Sequence, residues 1–168
     1  MKALFALLLV ALTVSATAQT ADALYKQACG PKEARFDVEL APGQPPTTPE
    51  PGKALVYFIQ KQSGQTFTTR VGVDGSWTGV IQSDSYIFVN VAPGEHHACA
   101  ATQNRKHLEA ELLHFNAEAG KVYYYLVRGI SADKGNGVSA AMIFGPADHD
   151  EALLLIASNL KSVATPKK

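Results

Sequence analysis

His97 and Cys99 stand two positions apart in the run His96–Ala101, so on a strand they share one face, the spacing at which an imidazole can hold a thiol as thiolate. Competing with that reading is a bridge from Cys99 to Cys29, the only other cysteine. An even thiol count in an exported chain favours a structural disulfide, here closing a loop across 70 positions. His96, His97, His107 and His114, with Cys99, supply ligand types for zinc or copper. Adjacent His96 and His97 must point to opposite faces of a strand, however, and neither a His-x-Glu-x-x-His nor a paired Cys-x-x-Cys element occurs. No metal and no cofactor is therefore expected. Asp148, His149, Asp150 and Glu151 resemble a ligand cluster, but acids at this spacing before an apolar run read as a helix N-cap. Lys134–Gly137 lacks the order of a phosphate-binding loop, and no serine sits in a nucleophile-elbow pattern, so no catalytic residue is assigned. The remaining chemistry-bearing group is aromatic. Trp77, Tyr86, Tyr123 and Tyr125, near Phe88 and Tyr124, are the candidate ligand-binding residues, since flat rings can stack on a sugar or a peptide.

Composition narrows the partners. The chain has 168 residues, 15 Lys+Arg against 15 Asp+Glu, 46% apolar and 18% charged residues. Neutrality provides no basic face for nucleic acid and no polybasic stretch for anionic lipid. This length suits one domain with a packed core. Met1 and Lys2 precede an apolar run from Ala3 to Val14, broken only by Thr13, and Ala16–Ala18 is a small-x-small site before Gln19. That is the pattern of a secretory signal peptide over residues 1–18, cut near Ala18/Gln19. The run is shorter than the roughly 20 residues of a spanning helix, so the expectation is a periplasmic or extracellular protein without a transmembrane segment.

The elements that must position these groups are mostly strands. Residues 19–40 read as an N-terminal arm in which Phe36, Val38 and Leu40 alternate as a short edge strand. Residues 41–52 hold five prolines and read as a linker. From Lys53 to Leu160, short β-type runs recur with turns between them, the pattern of an antiparallel β-sandwich of about seven to eight strands. The runs are Ala54–Ile59, Phe67–Val73, Trp77–Ile81, Tyr86–Val91, His96–Ala101, Leu108–Phe115, Val122–Val127 and Val138–Phe144. Asp74-Gly75 predicts a type I′ hairpin, and Pro93-Gly94 a second tight turn. Asp148 and Glu151 then open one C-terminal helix docking through Leu153, Ile156, Ala157 and Leu160, followed by a frayed tail over residues 161–168.

Taken in order, Cys29-Gly30-Pro31-Lys32, Pro51-Gly52-Lys53-Ala54-Leu55-Val56-Tyr57, Gly72-Val73-Asp74-Gly75-Ser76-Trp77, Pro93-Gly94-Glu95-His96-His97 and Ala119-Gly120-Lys121-Val122-Tyr123-Tyr124 resemble a bacterial family, the domain of unknown function 2846. The resemblance spans roughly residues 50–130. Its hairpin and turn order is also similar to PEGA-type surface modules, which implies an exported Ig-like or PEGA-like β-domain and no established activity. Many members look like lipoproteins, whereas this chain has no cysteine at the cleavage point to accept a lipid. The reading that follows is an exported, non-catalytic binding or structural module of the bacterial cell envelope, with envelope proteins or glycans as partners. The alternative is a small-ligand or carbohydrate binder using the exposed aromatics. A thiol or metal enzyme built on Cys99 and its histidines is the third.

Overall fold

The computed structural model describes residues 19–61, 67–103, 110–133 and 138–167, with the side chains of 131–133 and 138–140 left aside. Residues 1–18, read above as a signal peptide, His107, Leu108 and Lys134–Gly137 lie outside the described residues. Twelve elements follow along the described chain: α1 (Ala21–Ala28), β1 (Phe36–Ala41), β2 (Ala54–Lys61), β3 (Thr69–Val73), β4 (Ser76–Ile81), β5 (Ser85–Val91), β6 (Gly94–Thr102), β7 (Ala110–Ala117), β8 (Val122–Asp133), β9 (Val138–Pro146), α2 (His149–Ser158) and β10 (Leu160–Pro166).

The strands form two sheets, one ordered β1-β10-β5-β2-β8-β9 and the other β4-β3-β6-β7. β2 explains the layering. Seven of its eight residues are buried, with Ala54, Val56 and Phe58 on one face and Leu55, Tyr57 and Ile59 on the other. A strand apolar on both faces needs cover on both. The first face packs on the smaller sheet through Val71, Ala98, Ala100 and Phe115, while the second packs under α2 through Ala152, Leu155 and Ile156. The outer face of the smaller sheet is covered in turn by Tyr25, Ala28 and Cys29 of α1 and its C-cap. The order of layers is helix, sheet, sheet, helix.

Several expectations change. The described residues carry ten strands rather than seven or eight, and two helices rather than one. The larger sheet is mixed, because β2 pairs parallel to β8 and β10 parallel to β5, so the architecture is not a wholly antiparallel sandwich. Residues 161–168, expected to fray, contribute most of β10, which pairs antiparallel with β1 from Phe36↔Pro166 to Ala41↔Lys161. The unpaired edge groups of β1 supply the hydrogen bonds that a free tail would lack. α1 escaped the sequence reading because its buried stripe is only Tyr25 and Ala28; Thr20 caps it through Ala23 N at 3.2 Å. α2 begins as expected, with Asp148 accepting from the amides of Asp150 and Glu151. Its docking face differs, since Leu153 and Leu160 are exposed and Leu155 is buried. Ala152, Leu155 and Ile156 face the sheet, and the same rotation brings Glu151 to Lys61 on β2 at 3.0 Å and to Arg128 on β8.

The β3–β4 hairpin turns at Asp74 (φ 51°) and Gly75 (φ 78°), the two positive φ values of a type I′ turn. Asp74 has a second role. Its carboxylate accepts from His97 N at 2.9 Å and meets His96 Nδ1 at 2.6 Å, while His96 Nε2 lies 2.7 Å from Ala92 O. An acceptor faces each ring nitrogen of His96, an arrangement that favours the protonated ring. Burial pushes its pKa down, but the hydrogen bonds to Asp74 and Ala92 and the Asp74 charge together raise it above the ordinary value.

Two predictions follow from these ties. A folded pKa raised above the unfolded value of about 6.5 gives a contribution fully present below that value and lost as pH rises through the folded pKa. The difference in urea midpoint between the wild type and His96→Gln should therefore shrink as pH rises from 6 to 9; a constant difference would show that the charge has no role. Cys29 and Cys99 are bridged with Cα atoms 5.3 Å apart. Replacing both by serine should lower unfolding free energy by up to about 4 kcal/mol, read from denaturant curves with and without reductant.

Candidate functional site

The residues of chemical interest gather on the outer face of the smaller sheet. Along β6, His96, Ala98 and Ala100 point into the inter-sheet core, whereas His97, Cys99 and Ala101 point outward under and beside α1. Cys99 is thereby delivered to Cys29 at the end of α1, and both are buried in the bridge expected from the sequence. No free thiol remains for His97 to activate. His97 instead lies with its Nε2 2.7 Å from Gln27 Nε2 of α1, and the β6–β7 register sets it opposite His114, the two ring centres 5.0 Å apart.

Next to this pair, β3 presents Arg70 beneath the segment that follows α1. Arg70 is 0% exposed, a position the sequence offered no reason to expect, because a charged residue at an alternating strand position reads as solvent-facing. Its Nη1 donates to Lys32 O at 2.9 Å and Ala34 O at 2.8 Å, and its guanidinium lies 4.5 Å from the centre of the Trp77 ring. Burial lowers the Arg70 pKa from its ordinary value, yet an arginine remains charged. Gln103 ties the same region to β1 by donating to Phe36 O at 2.9 Å and accepting from Phe36 N at 3.0 Å, so a side chain supplies the pairing of a strand.

A cavity of about 400 Å³ opens between α1, the 30–33 segment and Gly75. Asp22, Tyr25, Lys26 and Lys32 are among the residues that line it. Lys32 and Lys26 hydrogen-bond Asp22 at 2.8 and 2.9 Å and hold its carboxyl down to about 2. The Tyr25 hydroxyl is buried without a hydrogen-bond partner among the described residues, and burial pushes its pKa up. Neither Tyr25 nor the cavity was foreseen, since both exist only once α1 is folded against the sheet.

The four aromatic candidates do not meet. Trp77 lies half-buried on the α1 face, its Nε1 donating to Pro31 O at 2.9 Å. Gly30 packs so closely that an added Cβ would overlap the indole. Tyr86, 1% exposed, faces α2 on the opposite side of the molecule. Tyr125, 5% exposed, points between the sheets among Phe58, Phe115 and Phe144, where burial pushes its hydroxyl up to about 12. Tyr123 shares that inner face, half-buried, and its hydroxyl accepts from Glu118 N at 3.0 Å. Alternation predicts an outward-facing tyrosine only if one face of the sheet is wet; here both faces of β8 are covered, and Tyr124 packs on Tyr57. At the start of α2, Asp148 caps, Glu151 pairs with the sheet, and His149 meets Asp150 at 3.1 Å. Among the described residues, no group of three or more His, Cys, Asp or Glu side chains is arranged to hold a metal ion.

No helix among the described residues is long and apolar enough to cross a membrane, and the buried disulfide fits an oxidising compartment. No curated protein and no solved structure matches the chain. The model of a protein family of unknown function, DUF2846, does match, over residues 50–138. That stretch contains β2 to β8, with Cys99, the histidine pair and the Asp74–His96 contact inside it and Cys29 and α1 outside it. With more than half of its length inside the match, the chain belongs to the DUF2846 family of proteins of unknown function.

Proposed function

We propose that this protein is an exported, non-catalytic module of the bacterial cell envelope that binds or supports other envelope components, proteins or glycans. The observation that carries the proposal is that Cys99, Asp74, His96, Asp148 and Glu151, side chains suited to acid-base or thiol chemistry, are engaged in contacts that hold elements of the fold together. Cys99 is bridged to Cys29, Asp74 and His96 lock the hairpin to β6, Asp148 caps α2, and Glu151 joins α2 to β2 and β8. General acid-base catalysis needs two titratable groups free to converge on one substrate position, whereas these groups are each committed to a structural contact. Export is supported by the apolar run Ala3–Val14 with its small-residue site and by the disulfide. The likeness to PEGA-type surface modules rests on the β3–β4 hairpin and the turn order.

A second reading, small-ligand binding, is favoured by the cavity beside α1 rather than by the aromatic set first considered. Its volume suits a small polar molecule, and Asp22, Lys26 and Lys32 bring charged groups to its lining.

Expression from its own start codon in a bacterium tests the main proposal. The expected product is periplasmic, begins at Gln19, has a mass two hydrogens below the reduced chain, and cross-links to an envelope protein or glycan. A full-length, reduced, cytoplasmic product would overturn it. For the second reading, soluble glycan fragments should change Trp77 fluorescence through the Gly30–Pro31 contact and lose that effect in Lys32→Ala, whose side chain lines the cavity; an unchanged signal in the wild type counts against it.

A further inference from the structure

The sheet brings together two imidazoles that the sequence separates by 17 positions. In the antiparallel β6–β7 register His97 faces His114, with Cys99↔Leu112 and Glu95↔Asn116 on either side along the same outer face. His97 is half-buried and His114 exposed, so the pair is open to solvent. Two imidazoles bound cis at one transition-metal ion, with metal–nitrogen bonds of about 2.0 Å, have ring centres about 4.5–5.3 Å apart. The His97 and His114 ring centres are 5.0 Å apart.

A third group is already in place. The Gln27 amide lies 2.7 Å from His97 Nε2. Turning that amide end for end would set its oxygen beside the imidazole nitrogen at roughly the spacing of two neighbouring ligands on one ion. Gln27 is on α1, whose end is fixed to the same strand by Cys29–Cys99, so the helix cannot carry the amide away from His97 while the bridge is intact. We propose that His97 and His114, with Gln27 as an auxiliary ligand, form a binding site for a divalent transition-metal ion, with Cu²⁺ preferred. Imidazole is a borderline donor that suits copper and zinc, and the general order of divalent affinities places Cu²⁺ above Zn²⁺ and Ni²⁺. Water fills the remaining coordination positions, as the open side of the pair allows. Among the described residues, three or more His, Cys, Asp or Glu ligands do not converge here, so the site they form is a surface chelate of two imidazoles, not a closed structural centre. It stands apart from the non-catalytic envelope reading, because binding an ion at this face requires no turnover.

Titration of the disulfide-bonded protein with Cu²⁺, followed by electron paramagnetic resonance, tests the site. One Cu²⁺ per chain is expected, with a spectrum showing two imidazole nitrogens. Affinity should fall at least tenfold in His97→Asn and in His114→Asn, fall two- to fivefold in Gln27→Ala, and stay unchanged in His149→Asn. Near-UV circular dichroism of Trp77 checks that each variant keeps its fold, and the wild-type spectrum decides the matter independently of the variants. A loss smaller than tenfold in either strand variant, or a wild-type spectrum with a single imidazole or with terminal-amine coordination, overturns the proposal.

Discussion

Everything else in the molecule is arranged around the burial of β2 on both faces. Leu55, Val56, Phe58 and Ile59 are all fully shielded, each contributing about 1.5–3 kcal/mol relative to an exposed position. One helix cannot cover both sides of a strand. The need for two covers therefore brings a second sheet to one face and α2 to the other, and it leaves the outer face of the second sheet requiring its own cover, α1. The amphipathic contribution of α1 is small, only Tyr25 and Ala28, and the Cys29–Cys99 bridge holds it where apolar contact alone gives a weak hold.

Polar groups inside this stack serve as ties between layers and between neighbouring strands of one sheet. Arg70 grips the carbonyls that follow α1, Gln103 pairs with Phe36 of β1, and the Ser85 hydroxyl meets that of Ser162 at 2.8 Å between β5 and β10. Each spans many positions of sequence, so each joins parts of the chain that local propensity cannot bring together. Buried polar groups are costly when unpaired, which makes such ties selective for one arrangement of layers. The candidate site grows out of the same architecture: β6 sends alternate side chains inward for packing and outward to His114, Gln27 and the bridge.

Much of the scaffold was legible locally. The Asp74-Gly75 hairpin, the two-faced apolar run of β2, the Asp148 cap and the pairing of the two cysteines rest on short-range rules of φ, alternation, capping and thiol count. α1 and β10 were not, because neither has a strong pattern of its own; β10 exists through pairing with β1 and β5, and α1 through contact with the smaller sheet. The dispersal of the four aromatic candidates has a related reason. Alternation told which tyrosines share a face of β8 but not that both faces are covered.

By itself, the sequence determined that the chain is mainly β, where its sharpest turns fall, and which family it resembles. Those properties follow from composition and from interactions between residues near in sequence. Only the tertiary structure decided the mixed sheet order, the burial of Arg70, the dispersal of Trp77, Tyr86, Tyr123 and Tyr125, and the meeting of His97 with His114. Strand register and layer order depend on which distant apolar faces cover one another, and that choice is made by the whole chain at once.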